Sequence, residues 1–332
     1  MSLGAAVFAF AACGGDGTGP VSTVDRVAFV SFRNGEADVY LINPDGSGET
    51  RLTDDPTSDW GPAWSPDGSR IVFASDRPTQ DENFDLYVVD WDGSNLRRIT
   101  DEAGDEWGPS WSPGGRKIAF LSNRAGADYD LYLVNPNGTG LTRLTTLSGG
   151  AYGPVWSSKG QIAFQGAAGS GDIYVVNSDG SGLANLTQHP DIDHHPTWSP
   201  DGAKVAFVRS PGVGPSEIYV IDADGSNLVN LTESSGDDFD PAWSPNGSTI
   251  AFISDRDGTR DVFVMNRDGS NPVNVTRSPE HELGPVWSPD GTRIACDAGG
   301  DIYAINADGT GRIRLTTDAA EDRDPEWSRG PR

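Results

Sequence analysis

Short apolar runs separated by turn residues fill the chain, and the stretch 61–100 shows this pattern most clearly. Its four runs are rich in Val, Ile, Tyr and Phe, which favour β-strands. They are Pro62–Ser65, Ile71–Phe73, Leu86–Val89 and Arg98–Thr100. The pair Asp92-Gly93 between the last two runs favours a hairpin, because a tight primed turn needs positive φ. The stretch therefore predicts one four-stranded antiparallel meander.

The same meander recurs along the chain. A Trp-Ser pair marks its first strand and returns every 40 to 47 residues, at Trp64, Trp111, Trp156, Trp198, Trp243, Trp287 and Trp327. A period of this size with four strands per unit is the signature of a propeller blade. Because aromatic side chains bury large areas, we interpret the seven tryptophans as packing between blades.

The two ends of the repeat array complement each other. The first copy, residues 24–53, lacks a Trp-Ser strand, whereas the last Trp-Ser strand, residues 325–328, stands alone. We expect these fragments to form one blade, which removes the open edges of a linear array. The prediction is an all-β fold: a seven-bladed β-propeller with four antiparallel strands per blade, closed by the C-terminal strand completing the N-terminal blade.

The repeat resembles that of a known family. The motif W-S-P-D-G-x-x-I-A-F, followed by D-I-Y-x-x-x-x-D-G-S and L-T, resembles the repeat of the TolB-like β-propellers, for example at 198–207. The resemblance covers residues 24–328. It implies a propeller exported from the bacterial cytoplasm and used for protein–protein contact. The chain departs from TolB by showing seven repeats rather than six and no α/β domain ahead of them. Similar repeats also occur in propellers attached to peptidases and in some polysaccharide lyases.

The N-terminal residues predict export. Residues 1–12 contain a short apolar run typical of a signal peptide, and the run is too short to span a bilayer. Phe10-Ala11-Ala12-Cys13 resembles a bacterial lipobox, which implies lipidation of Cys13, although no Lys or Arg precedes the run. The Gly-rich segment 13–22 would be a flexible tether, and residues 23–329 the propeller. We expect a periplasmic or cell-surface protein that meets the membrane only through a lipid anchor.

The net charge restricts the class of partner that the chain can bind, and one cysteine is assigned to the core. The formal net charge of −25 argues against nucleic acid, because the chain would repel phosphate. Cys296 stands where the sister repeats carry Phe and is expected to be a small core residue. We expect a monomer that binds a protein or peptide partner in the envelope and needs no cofactor.

The variable loops indicate where a partner would bind. The second-to-third and blade-to-blade connections vary in length and should open on one face, which is the usual arrangement for recognition. Residues just before each inner strand should ring the channel mouth there: Trp60, Trp107, Tyr152, His195, Asp240, Gly284 and Asp324. Three aromatics on consecutive blades beside acidic residues could hold a peptide, a cation or a sugar ring. The alternative is that the aromatics only pack against the following Gly-Pro.

Other charged groups support weaker hypotheses. The histidines His189, His194, His195 and His281 could bind a transition metal, although their spacing matches no closed motif. An acidic residue opens each third strand, and in four repeats an arginine precedes it in the loop. We expect each such pair to form a local ion pair: Arg33 with Asp38, Arg77 with Asp85, Arg124 with Asp130, and Arg256 with Asp261. The alternative is that these acidic residues bind calcium. The sequence contains no Gly-x-Ser-x-Gly elbow, phosphate loop or His-Glu-x-x-His motif. We therefore expect that the protein is not an enzyme. The alternative is a metal-dependent polysaccharide lyase or hydrolase.

Overall fold

The computed structural model describes residues 25–77, 83–167 and 171–328. Within these ranges the chain forms 28 β-strands and no helix. The strands pair into seven four-stranded antiparallel sheets, which we call blades 1 to 7. The segment 1–12, the tether 13–22 and Cys13 lie outside the described residues.

Each blade uses its strands in the same order. The inner strands end at the landmark tryptophans: β4 (Asp59–Trp64), β8 (Glu106–Trp111), β12 (Ala151–Trp156), β16 (Ile192–Trp198), β20 (Asp238–Trp243), β24 (Glu282–Trp287) and β28 (Asp322–Trp327). The second strands carry the apolar triplets: β1 (Val27–Ser31), β5 (Arg70–Ser75), β9 (Ile118–Ser122), β13 (Gln161–Gly166), β17 (Lys204–Ser210), β21 (Thr249–Ser254) and β25 (Arg293–Ala298). The third strands are β2 (Asp38–Ile42), β6 (Asp85–Asp90), β10 (Asp130–Val134), β14 (Asp172–Asn177), β18 (Glu217–Asp222), β22 (Asp261–Asn266) and β26 (Asp301–Asn306). The outer strands have two residues each: β3 (Thr50–Arg51), β7 (Arg97–Arg98), β11 (Thr142–Arg143), β15 (Ala184–Asn185), β19 (Val229–Asn230), β23 (Val273–Asn274) and β27 (Ile313–Arg314).

Blade 1 joins the two ends of the described chain. Its order is β28-β1-β2-β3, with Val27 opposite Trp327 and Ala28 opposite Glu326. The inner strand β28 also contacts the inner strands of both neighbouring blades, β24 and β4. The predicted seven-bladed, all-β architecture and its closure by the C-terminal strand are confirmed.

The core consists of seven apolar clusters, one between each pair of neighbouring blades. Successive strand residues point to opposite faces, so each second strand serves two clusters. In β5, Ile71 and Phe73 pack toward blade 1, whereas Val72 and Ala74 pack toward blade 3. Cys296 is fully buried in the cluster between blades 6 and 7, as predicted.

The landmark tryptophans connect each blade to the preceding one. Their indoles are buried or half-buried, and six donate Nε1–H to the backbone carbonyl just before the tryptophan of the preceding blade. The donor–acceptor distances are 3.0–3.2 Å, for example from Trp287 to Ala242. Trp243 is the exception, since its Nε1 has no acceptor among the described residues. The interpretation of these residues as packing between blades is confirmed.

The Asp-Gly hairpins are longer than predicted. Gly93 has a φ of 83°, but Asp92 does not adopt positive φ, so the pair does not form a primed turn. The carboxylate of Asp92 accepts hydrogen bonds from the backbone N–H and the hydroxyl of Ser94. A hydrogen bond from Asp90 N to Ser94 O closes the loop. The side chain of Asp92 therefore stabilises a wider loop in which only the glycine is left-handed.

Candidate functional site

The second-to-third and blade-to-blade connections lie at the same end of the ring, which we call the mouth face. Hydrogen bonds join the two classes of loop: Asp59 N donates to Ala37 O, and Ser58 N donates to the carboxylate of Asp76. The Trp-Ser-Pro-Asp-Gly and Asp-Gly-Ser turns lie at the opposite end, the turn face. The expectation that the variable loops share one face is therefore confirmed.

Arginines at the ends of second strands bind carboxylates of the inner strands. Arg77 lies 3.0 Å from Asp59, and Arg256 lies 2.9 Å from Asp238. The same contact joins Arg33 to Asp322, Arg124 to Glu106 and Arg209 to Asp193. The predicted pairs with Asp38, Asp85, Asp130 and Asp261 are not formed, so that prediction is wrong.

The strand register explains the error. Ser75 lies opposite Asp59, and Arg77 folds back over the rings of Phe73 and Tyr87, at 5.1 and 4.8 Å from their centroids. This path brings the guanidinium to the inner strand. Burial raises the pKa of Asp59 to about 6, and the charge of Arg77 opposes that rise.

The acids opening the third strands are bound from the outer strand instead. Asp85 lies 2.5 Å from Arg98, and the same contact recurs as Asp38 with Arg51, Asp130 with Arg143, and Asp301 with Arg314. In blades 4 and 6 an asparagine takes the place of the arginine, as in the hydrogen bond from Asn185 to Asp172. The carboxylates that open the third strands therefore stabilise the blades. The sequence analysis did not identify the inner-strand acids that the second-strand arginines bind. The sequence does mark them, because an acidic residue stands five positions before the landmark tryptophan in six of the seven repeats.

The predicted mouth residues lie inside the inner strands rather than before them, so the predicted placement is wrong by a few residues. They also occupy two different positions relative to the landmark tryptophan. Trp60, Trp107 and Tyr152 precede it by four residues, whereas His195, Asp240, Gly284 and Asp324 precede it by three. The first three stand before a Gly-Pro pair, whereas the other four stand directly before the proline. The two sets are therefore adjacent positions of one β-bulge that recurs in every inner strand, such as the one between Trp60 and Ala63.

Each bulge places one residue in the left-handed region. Four blades use glycine there, Gly61, Gly108, Gly153 and Gly284, at φ of 56–58°. The other three use His195, Asp240 and Asp324, at φ of 50°, 51° and 55°. Non-glycine residues rarely adopt this conformation, although His and Asp tolerate it better than most. A proline follows all seven left-handed residues, so the Gly-Pro, His-Pro and Asp-Pro pairs mark the position of the bulge in the sequence.

Titratable side chains line the mouth on blades 5, 6, 7 and 1. His195 Nδ1 lies 2.8 Å from Asp240 Oδ1. Burial alone would raise the pKa of Asp240, but the hydrogen bond and charge of His195 outweigh it and lower that pKa. Burial and the nearby carboxylate of Asp324 raise the pKa of Asp297 to about 7. The neighbouring His194 is held neutral, since burial lowers its pKa to about 4.

Aromatic side chains line the mouth on blades 2, 3 and 4. Trp60 and Trp107 are half-buried, with ring centroids 5.3 Å from Phe32 and 4.1 Å from Phe84, each on the preceding blade. Tyr152 is 42% exposed. The two tryptophans thus pack against loop aromatics rather than only against the following Gly-Pro, while keeping part of their surface open.

The four histidines have different surroundings. His189 lies 3.5 Å from Asp191, His194 lies 2.9 Å from Ser210 Oγ, and His281 accepts a hydrogen bond from Arg260 N. Over the described ranges, no three His, Cys, Asp or Glu side chains are arranged to hold a metal ion.

Comparison with known proteins places this fold in a family. The profile described as the TolB beta propeller domain matches residues 78–167 and 196–299, more than half of the chain. The chain belongs to this family of β-propellers. A search of curated proteins gave no match.

Solved structures show the same fold. TolB from Acinetobacter baumannii is 20% identical, with a TM-score of 0.60 over 91% of this chain and 66% of that one. An oligogalacturonate lyase from Vibrio parahaemolyticus is 16% identical, with a TM-score of 0.67 over 88% of this chain and 84% of that one. A puromycin-hydrolyzing peptidase from Mycobacterium tuberculosis is 13% identical, with a TM-score of 0.70 over 88% of this chain and 53% of that one. The chain thus spans 66% of that TolB and about half of that peptidase, and the likeness concerns the fold alone.

A search for membrane-crossing helices in the described part of the chain found none of sufficient length and apolarity.

Proposed function

We propose that this propeller is a non-catalytic binding scaffold of the bacterial cell envelope that holds a protein or peptide at its mouth face. The observation that carries the proposal is the composition of the mouth. Partly open aromatic side chains stand on three consecutive blades of a closed ring, and titratable side chains stand on the remaining four. Aromatic residues of this kind anchor most protein interfaces, because they bury much area at little entropic cost.

The enzyme alternative has less support. A metal-dependent lyase would need several ligands converging on one point, whereas His189, His194 and His281 hydrogen-bond or pair with different neighbours. The lyase and peptidase that share the fold are too distant in sequence to favour catalysis here.

The place where the described chain begins favours an outward-facing mouth. Val27 pairs with Trp327 at the turn face, and Ser328 N donates to Arg26 O beside it. A lipid on Cys13 would therefore attach the propeller by its turn face, with residues 13–24 spanning at most about 40 Å. Mass analysis of the mature N-terminus in native cells tests this part of the proposal. A diacylglyceryl or triacyl mass on Cys13 supports it, and an intact Met1 contradicts it.

Capture from envelope extract tests the binding function. The bait is the purified propeller, compared with the variants Trp60→Ala/Trp107→Ala and Tyr152→Ala. The control is Leu228→Ala beside the outer strand β19, since Leu228 is as exposed as Tyr152 at 42%. Loss of the same partner with both mouth variants but not with the control supports the proposal. Equal capture by all baits contradicts it.

A further inference from the structure

The mouth divides into two halves of different chemistry. The aromatic half consists of Trp60, Trp107 and Tyr152 on blades 2, 3 and 4. The acidic half consists of Asp240, Asp297 and Asp324 on blades 6, 7 and 1, and His195 on blade 5 separates the halves on one side. On the other side Asp324 and Trp60 lie on neighbouring inner strands, β28 and β4, which are in contact.

The acidic half carries unbalanced negative charge. Asp240 is paired with His195, but no ion pair of the described residues joins Asp297 or Asp324 to a cation. The adjacent Arg323 forms its ion pair with Glu321, and its charge only partly offsets the rise in the pKa of Asp297 and Asp324. Asp324 lies near enough to raise the pKa of Asp297, and a cation from outside would relieve this repulsion.

The aromatic half suits a ligand that is partly apolar. The faces of Trp and Tyr attract cations as well as apolar groups, so a cationic side chain can be held between an aromatic ring and a carboxylate. The overall charge of −25 would also speed the approach of a positively charged partner.

We infer that the partner inserts a peptide segment with an arginine or lysine over Asp240, Asp297 and Asp324, and an apolar or aromatic side chain over Trp60, Trp107 and Tyr152. The inference rests on the proposed function and adds the chemistry of the segment recognised. It follows from charge complementarity, since the ion pairs of the described residues engage Asp240 and Arg323 but leave Asp297 and Asp324 without a direct cationic partner.

Selection from a displayed library of random dodecapeptides on the immobilised full chain tests the inference. Retained peptides should be enriched in Arg or Lys next to Trp, Phe or Leu. Binding of the best peptide, measured by calorimetry, should weaken at least about tenfold in Asp240→Asn/Asp324→Asn. Asparagine keeps the size of the side chain and tolerates positive φ, so this variant should fold.

A matched control removes the same charge from the turn face. Asp179→Asn/Asp268→Asn changes two exposed turn carboxylates. The equivalent residue, Asn137, is already an asparagine, and its side-chain oxygen accepts the same hydrogen bond from the backbone N–H two residues further on. The inference predicts unchanged peptide affinity in this control. Equal weakening in both variants would mean attraction to net charge alone and would overturn it.

The outcomes also separate the inference from the proposed function. If the retained peptides are neutral or acidic, and their binding is lost when Trp60 and Trp107 are replaced, the inference is overturned while the proposed function stands. A library that yields no peptide dependent on any mouth residue would overturn both.

Discussion

His195 Nδ1 and Asp240 Oδ1 lie 2.8 Å apart and join the inner strands of blades 5 and 6 at the mouth. Both residues occupy the left-handed position that glycine fills in four sister blades. A chain that keeps side chains where the backbone favours glycine retains some local strain, which is a recurrent property of binding sites. With Asp324, these residues mark the part of the ring where we expect selection to have favoured recognition over stability.

Replacing Asp324 by glycine should therefore stabilise the protein. The substitution removes a non-glycine residue from φ of 55° and relieves its repulsion of Asp297. We expect the free energy of unfolding to rise by about 0.5–1 kcal/mol. Denaturant unfolding measures it, and Gly284→Asp should change stability in the opposite direction. A less stable Asp324→Gly would show that the left-handed backbone carries no such strain.

The buried ion pair between Arg256 and Asp238 should matter far more than the exposed ones. Arg256→Met leaves the fully buried carboxylate of Asp238 unpaired and removes the guanidinium from the rings of Phe252 and Phe263. We expect a loss of about 3–5 kcal/mol in unfolding free energy. Arg323→Met, whose ion pair with Glu321 is about half exposed on both sides, should cost less than about 1 kcal/mol. Similar losses in thermal or denaturant unfolding would contradict this ranking.

Asp297 should make stability depend on pH. Its pKa is about 7 in the folded chain against 3.8 ordinarily, so the folded state binds more protons between pH 4 and 7. The unfolding free energy should therefore fall as pH rises through that window and level off above it. Burial and the facing carboxylates Asp324 and Asp240 cause the shift, and Arg323 opposes it.

Asp297→Asn removes this titration. At pH 8 the variant should be more stable than the parent by about 1–2 kcal/mol, since solvent at the half-buried site screens part of the shift. At pH 4 the two should be equal. Parallel pH–stability curves for parent and variant would refute the assignment, and Asp179→Asn on the turn face controls for the change in net charge.

The two tryptophans Trp287 and Trp243 should respond differently to replacement by phenylalanine. Trp287 Nε1 donates to Ala242 O at 3.0 Å, whereas the buried Trp243 Nε1 has no acceptor within the part of the chain that the structure describes. Both variants lose apolar area, but only Trp287→Phe also breaks a hydrogen bond between blades. We expect it to cost about 1 kcal/mol more than Trp243→Phe in unfolding free energy. Equal losses would show that the indole hydrogen bond adds nothing to the packing.

The repeat made the architecture predictable, and the local geometry explains where prediction stopped. Trp64 and its counterparts, with the apolar triplets, fixed the strand order and the pairing of β28 with β1, because a repeat must satisfy the same contacts at every interface. The bulge beside Gly61 was not anticipated, since alternation counts residues and a bulge adds one. The partner of Arg77 was also missed, because the arginine folds back to Asp59 across the sheet rather than bonding forward along the chain.

Site-specific photo-cross-linking tests most directly whether the mouth face is where a partner binds. Benzoylphenylalanine replaces Tyr152 at the mouth in one protein and Leu228 beside β19 in another, two positions that are both 42% exposed. After irradiation in envelope extract, we predict one discrete adduct from position 152, which disappears in the Trp60→Ala/Trp107→Ala background, and none from position 228. A discrete adduct from position 228 alone would place the binding surface elsewhere and contradict the account.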